Sequence, residues 1–343
     1  MYIESFRIGT FHYARPRMNC KRLGHVSQSR RFCYYQAMAQ EQTIAVLIPC
    51  HNEEVAIGKV VDDFRRQLPE ATIYVFDNCC TDRTAEIARE HQAVVITEPR
   101  KGKGFVVETM LDHVNADLYV MVDGDDTYPA EKVHQLLAPV RQGQADMVVG
   151  ARLAEYTGKS FRPLHVAGNN LVRGLINRIF GASLTDILSG YRAFNRRVAL
   201  RIPIVSSGFE VETELTIQML YYKLTMLEVQ VPYRGRPSGS HSKLNTFSDG
   251  FRVLWKLFSL VRAFKPLTFF GLLGLLLLAT GIVLGVWPIW QYVETRRVEG
   301  VAMAILATTL VLLGFGCGFL GLLLHAMNWR LKELHNVLVR RSG

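Results

Sequence analysis

Asp123-Gly124-Asp125 puts two carboxylates two residues apart, immediately after the apolar run Leu118-Tyr119-Val120-Met121-Val122. That run reads as a buried parallel strand. Carboxylates delivered by a strand end into the crevice of an open α/β sheet form a hard oxygen site for Mg²⁺ or Mn²⁺ holding a nucleoside diphosphate. The same tripeptide is also ordinary turn chemistry, and taken alone it does not decide between the two. Three more clusters fall at expected strand ends. Pro49-Cys50-His51-Asn52-Glu53-Glu54 follows the first strand and Asp77-Asn78-Cys79-Cys80-Thr81-Asp82 the second. Asp77 could accept hydrogen bonds from a base or ribose, and Thr81 or Asp82 could cap a helix. Arg100-Lys101-Gly102-Lys103-Gly104 precedes a further helix, where glycines let backbone N–H groups and lysines approach an anion. Each cluster alone has a bland reading as a cap or turn; four on one rim do not.

The elements that must position these residues alternate in type. Strands are expected at Ile44 to Ile48, Thr72 to Phe76, Ala93 to Thr97, Leu118 to Val122 and Asp146 to Val149. Between them lie helical patterns at Glu54 to Gln67, Thr81 to Glu90, Lys103 to His113 and Ala130 to Arg141. This alternation implies a mostly parallel α/β sheet with right-handed crossovers. Beyond Gly150 the regularity falls: a polar loop at 152–162, a helix at Val166 to Phe180 and a loop over Ser183 to Arg192. A helix at Glu212 to Tyr222 and a strand at Met226 to Val231 follow, then a basic segment expected to be mobile over Tyr233 to Asn245.

The chain has 343 residues, 49% of them hydrophobic, and the apolar ones are unevenly spread. Leu267 to Trp290 carries no charge, and Val301 to Trp329 none apart from His325. Each run is long enough to cross roughly 30 Å of hydrocarbon as a helix. Phe251, Leu254, Trp255, Phe258 and Val261 recur at helical spacing with Arg252, Lys256 and Arg262 between them. That is the pattern of a helix lying in the membrane interface. Basic flanks outside both spans place the head in the cytoplasm by the positive-inside rule. The net charge of +10 then suits anionic lipid and phosphorylated ligands, and no nucleic-acid module is recognisable. Six cysteines without a Cys-x-x-Cys pair fit reduced thiols. Cys79-Cys80 could be a redox pair or simply two small loop residues. Residues 1–42, basic and aperiodic, are expected to be a poorly ordered or misannotated extension, with Met38 a candidate start. The remaining divisions are a catalytic domain at 43–245, a juxtamembrane helix at 246–265, two transmembrane helices within 266–329 and a cytoplasmic tail at 330–343.

Val46-Leu47-Ile48-Pro49-Cys50-His51-Asn52-Glu53-Glu54, Asp77-Asn78 with Thr81-Asp82-Arg83-Thr84, Gly102-Lys103-Gly104, Val122-Asp123-Gly124-Asp125 and Val149-Gly150-Ala151-Arg152 occur in this order. The ordered set resembles the family 2 glycosyltransferases of GT-A fold. Ser189-Gly190-Tyr191-Arg192, Gly239-Ser240-His241-Ser242-Lys243 and the paired spans are similar to the polyprenyl-phosphate subgroup, which includes dolichol-phosphate mannose synthase and bactoprenol glucosyltransferases. The resemblance implies transfer from a nucleotide sugar to a polyprenyl (undecaprenyl) phosphate at a bacterial inner membrane, with a Mg²⁺ or Mn²⁺ cofactor, inversion at the anomeric carbon and homo-oligomeric assembly. It implies donor contacts from Pro49, Asn52, Glu53, Asp77, Lys103, Asp123, Gly124 and Arg152. Asp123 and Asp125 would hold the metal, with Thr127 near a further ligand position. Asp125, Asp186 and Arg192 would be catalytic, and Arg234, Arg236, Ser242 and Lys243 would meet the acceptor phosphate. Glu212 and Glu214 are reserve candidates that could equally be solvated on an amphipathic helix. Two departures are Cys79-Cys80, where relatives carry small polar residues, and His51, which stands where Tyr is common. A glycosyltransferase with another acceptor, and a non-catalytic nucleotide-binding scaffold, are the competing readings. The Gln-x-x-Arg-Trp motif of processive synthases is not found.

Overall fold

A computed structural model describes residues 42–152, 163–208, 210–236, 258–259, 261–297 and 300–342. The readings made of the N-terminal extension, of the polar loop after Arg152, and of Ser242 and Lys243 therefore lie outside the described residues. Those made of the interfacial helix do so for the most part: residues 258–259 and 261–264 are helical.

The head alternates as expected: β1 (Ile44–Cys50), α1 (Ile57–Gln67), β2 (Thr72–Asp77), α2 (Thr84–Glu90), β3 (Val94–Thr97), α3 (Lys103–His113) and β4 (Leu118–Met121). A 3₁₀ turn (Ala130–Lys132), α4 (Val133–Arg141), β5 (Met147–Arg152), α5 (Pro163–Phe180), β6 (Arg192–Asn195), α6 (Arg196–Arg201), α7 (Val211–Tyr221) and β7 (Met226–Val231) complete it. The seven strands form one sheet in the order β3-β2-β1-β4-β6-β5-β7. β1 pairs in parallel with both β2 and β4, and β2 with β3. Apolar strands buried on both faces are what such a sheet requires. Val46, Ile48 and Val120 pack beneath α1 and α4, whereas Ala45, Leu47, Tyr119 and Met121 pack beneath α3 and α7.

The departure from a parallel sheet is β6, antiparallel to both β4 and β5. The segment expected to be a loop down to Arg192 therefore ends in a central strand. Arg-Ala-Phe-Asn is four residues long and opens on a charge, so it carries neither an apolar run nor an alternation. Two helices begin about a turn later than their apolar patterns suggest. Glu53 O first accepts from Ala56 N and Ile57 N, and Asp82 Oδ1 accepts from Thr84 N at 3.0 Å, so α1 and α2 start only after these turns.

From Pro266 onward lies a pair of long helices, α8 (Pro266–Thr295) and α9 (Val301–Ser342), the second continuing past the expected end of its apolar stretch. Both are long and apolar enough to cross a membrane, and only 11% of the residues in the apolar window of each are buried. Glycines line the seam. A Cβ on Gly274 would meet Gly314 O at 2.7 Å, and one on Gly281 would meet Ala307 O at 2.9 Å. Close backbone approach through small residues is how helices associate where apolar solvent removes the hydrophobic drive. Head and hairpin meet at α7 and at the end of α5, where Lys265 lies over the Phe180 ring. Lys332 Nζ on α9 donates to Tyr221 O at 2.5 Å and lies over the Tyr221 ring, Asn328 Nδ2 donates to Ala263 O, and the Tyr221 and Phe264 rings pack 4.9 Å apart.

Candidate active site

The C-terminal ends of β1, β2 and β4 open onto one rim, and its loops are bonded to one another. Asn52 takes the left-handed conformation (φ +56°), which turns its side chain toward the second loop: Oδ1 accepts from Thr81 N at 2.7 Å. Glu53 N donates to Thr84 Oγ1 at 2.8 Å, and His51 Nδ1 lies 2.7 Å from Asn78 O. Pro49 stays in the β1 ladder opposite Phe76. Asp77 Oδ1 accepts from Cys80 N, which shapes its own turn. Asn78 is buried and stitches the second loop to the third: Nδ2 donates to Glu98 O and Arg100 O, and Oδ1 accepts from Gly102 N at 2.8 Å. Burial pushes the Cys80 thiol up to about 12. It stays protonated at neutral pH, which favours the packing reading of the cysteine pair over a redox one. All four described cysteines are unbridged.

Gly102 and Gly104 are required by close approach of the backbone. A Cβ at Gly102, where φ is +143°, would lie 2.0 Å from Ser207 O, and one at Gly104 would lie 1.8 Å from Ser206 O. The start of α3 is thereby pressed onto the segment before α7. Lys103, expected to face donor phosphate, instead places its ammonium between Asp123 Oδ1 and Glu212 Oε1, at 2.5 Å from each. Burial alone would favour loss of its proton, but the two carboxylates outweigh that and hold the ammonium above its ordinary range.

Asp123 and Asp125 point into the crevice from the end of β4. Gly124 between them has no room for a side chain, since a Cβ would lie 2.6 Å from Cys50 Sγ. Asp125 is 4% exposed and accepts from Thr127 Oγ1 at 2.6 Å and from Arg236 Nη2 at 2.7 Å. Burial, then repulsion from Asp123, pushes its carboxyl above the ordinary range even with Arg236 beside it. Each carboxylate has a cation at hydrogen-bond distance, Lys103 on Asp123 and Arg236 on Asp125, and each cation is shared with a further carboxylate, Glu212 and Glu53. Gly190 backs Asp123 so closely that a Cβ there would lie 2.4 Å from its Oδ2. Gly190→Ala is therefore expected to displace Asp123 and lower catalytic efficiency (kcat/KM) by roughly 10²-fold, the effect of an ångström-scale misplacement. Assay of the purified variant beside wild type at matched thermal midpoints checks this.

Other cations sit less simply. Arg152, ending β5, makes a bidentate pair with Asp186, Nε to Oδ2 at 2.7 Å and Nη2 to Oδ1 at 3.0 Å, and lies over the Tyr233 ring. Burial raises the Asp186 carboxyl, but the Arg152 bonds outweigh it and hold it below its ordinary range. Glu228 accepts from Thr185 N and Asp186 N and fixes this loop from behind. Arg236, expected at the acceptor phosphate, bridges Asp125 and Glu53, the latter at 3.8 Å. Arg234 reaches outward to Glu131 at 3.4 Å.

Arg192 corrects the sequence reading. It is 0% exposed, and its guanidinium donates to Ser189 O, Ile187 O, Glu212 O and Thr216 Oγ1. These acceptors lie on the 187–189 loop and on α7, so Arg192 supports the site from inside the core. The alternative of solvated glutamates on α7 is also overturned: Glu212 is 4% and Glu214 1% exposed. Glu214 accepts from Ser206 N at 2.7 Å, while Glu212 belongs to the crevice. Sequence reasoning passed over Asn78, Tyr128 and Tyr233. Tyr128 OH meets Ser189 Oγ and Gly190 N, and its ring packs on Tyr233. Only its place three residues after Asp125 could have pointed to it.

Against known proteins, residues 45–202 match the family model described as glycosyl transferase family 2. The chain is 32% identical to glycosyltransferase AglJ of Haloferax volcanii over 81% of this chain and 91% of that one. It is 33% identical to the dolichyl-phosphate hexose transferase of the same organism, over 61% of this chain and 90% of that one. Among solved structures, glucosyl-3-phosphoglycerate synthase from Mycobacterium tuberculosis, in complex with Mn²⁺, uridine diphosphate and glucosyl-3-phosphoglycerate, superposes with a TM-score of 0.55. It is 22% identical, covering 71% of this chain and 86% of that one.

Proposed function

Because the chain belongs to glycosyl transferase family 2, we propose that it moves a sugar from a nucleotide donor, a UDP-sugar such as UDP-glucose, onto a polyprenyl phosphate at the cytoplasmic face of a bacterial inner membrane. The observation that carries this reading is that α7 links an apolar hairpin to the Asp123–Asp125 crevice, where four carboxylates share two cations. The likeness to a dolichyl-phosphate hexose transferase supports a lipid phosphate as acceptor. The preference for a uridine donor follows the resemblance to two-span bacterial enzymes.

The donor set fits a divalent cation. Two carboxylates at one strand end are what Mg²⁺ or Mn²⁺ takes from protein when phosphates and water complete its shell. Among the described residues no third carboxylate, His or Cys joins them in a metal-sized group, which agrees with a shell completed by the donor. Bound there, the cation supplies neutralisation of charge on the departing diphosphate. The protein's own part is orientation. Arg152, locked against Asp186 through Nε and Nη2, has its Nη1 outside that pair and suits a donor phosphate. An acceptor phosphate monoester has a second pKa of about 6, so its oxygen attacks the anomeric carbon already ionised and needs no general base. Displacement in line with the leaving diphosphate inverts the configuration.

Membranes containing the protein, incubated with a panel of radiolabelled nucleotide sugars and undecaprenyl phosphate, are expected to yield one labelled lipid with one donor. Absence of labelled lipid with every donor would count decisively against the reading.

A further inference from the structure

Lys103 and Glu212 carry buried charges beside Asp123 that the transfer chemistry above does not use. We propose that Glu212 is a positioning residue of the donor site, acting on Asp123 through the Lys103 ammonium and touching no substrate itself. This rests on the glycosyl-transfer reading of the Asp123–Asp125 crevice and names a further residue that reading requires.

The fold is committed to this contact from both sides. On one side, Gly102 and Gly104 let the first turn of α3 lie in direct backbone contact with Ser207 and Ser206 of the 202–208 segment. Gly104 N donates to Ser207 O, and Glu214 accepts from Val205 N and Ser206 N, tying that segment to α7. On the other side, Arg192 donates to Glu212 O from the core, fixing the backbone that carries the Glu212 side chain. The Lys103 ammonium is left with two carboxylates at equal reach, 2.5 Å to Asp123 and 2.5 Å to Glu212. A point charge held from two directions has a defined position, and the Asp123 oxygen it contacts inherits it. Gly190 closes the opposite side of the same carboxylate. Without Glu212 the ammonium would move wholly onto Asp123, drawing charge from a ligand and removing one negative charge from the crevice. Both changes weaken the hold on a cation and its diphosphate.

The test uses the full chain in detergent micelles, with the affinity for UDP and GDP measured calorimetrically in Mn²⁺ beside transfer kinetics. Glu212→Gln is expected to weaken nucleotide binding roughly 10–100-fold, as loss of an orienting partner does. Glu212→Asp, which keeps the charge at shorter reach, is expected to recover part of the loss. The double variant Glu212→Gln/Lys103→Met is expected to bind no more weakly than Lys103→Met alone, because the two residues act as one unit. Unchanged nucleotide affinity with abolished transfer would overturn the inference, as it would place Glu212 on the acceptor. Additive losses in the double variant would overturn it too. Should the Gln variant fail to fold, the Asp variant carries the same comparison: a smaller weakening supports the inference and unchanged binding ends it. Wild type that binds neither nucleotide removes the glycosyl-transfer reading itself. Wild type that binds and transfers beside an indifferent Glu212→Gln removes only this inference.

Discussion

Asp125→Ala is expected to lower sugar transfer by roughly 10³-fold, or more, while the protein still folds and inserts. The carboxylate faces the crevice beside Asp123, and its partners there are Thr127 and Arg236. Thr127, although buried, retains Tyr233 as a side-chain partner, and Arg236 keeps Glu53. Removal therefore does not strand a charge in the core. What disappears is half of the cation site, and with it neutralisation of the leaving diphosphate, an interaction worth most when charge develops in the transition state. The measurement is label transfer into lipid in membranes replete with Mg²⁺ and Mn²⁺, with expression and extraction compared to wild type. Activity within tenfold of wild type would sink the assignment of Asp125 to the metal.

Arg192→Ala is expected to fail differently, by loss of the folded head. Its guanidinium is fully buried and donates to four acceptors on the 187–189 loop and on α7. Removing it leaves buried neutral acceptors without their donor, which costs about 1–3 kcal/mol for each one that stays unsatisfied. Summed over those, for a domain of this size that corresponds to a thermal midpoint lower by roughly 10 °C. Intrinsic-fluorescence melting in detergent distinguishes the two cases: a variant that melts with wild type yet transfers nothing would return Arg192 to a catalytic role.

The contrast between these two residues shows where sequence reasoning reaches and where it stops. Asp123 and Asp125 were legible because a strand end aims its next residues into a crevice whatever the rest of the chain does. The parallel half of the sheet, β1 to β4, was legible for the same local reason. Arg192 lies in an equally recognisable run, Ser-Gly-Tyr-Arg, but whether an arginine faces substrate or core depends on what covers it. Here the cover is β6 between β4 and β5 together with α7, and the strand itself left no pattern in four residues. Lys103 and Arg236 were readable as cations but not as partners of Asp123 and Asp125. Lys103 meets Glu212 only because the 202–208 segment brings α7 against α3, a juxtaposition 109 residues apart in the chain. Residue type indicates which charges a site contains, and tertiary packing decides which of them cancel.

α7 makes that packing a matter of height. Its first turn carries Glu212 and its last residue, Tyr221, receives Lys332 of the apolar hairpin. Nine residues separate these contacts, so the helix spans about 14 Å between them at 1.5 Å per residue. A rod fixed at both ends is a standoff. If the hairpin lies in the bilayer, the reacting crevice is set at no more than that distance from the level of Tyr221, and its height does not adjust to the lipid. The phosphate of the acceptor must come up to the crevice on its own flexible chain. A single residue inserted in α7 would turn Glu212 by about 100° relative to Tyr221, breaking the crevice or the hairpin contact, so the length of this one helix is as constrained as any residue in the crevice.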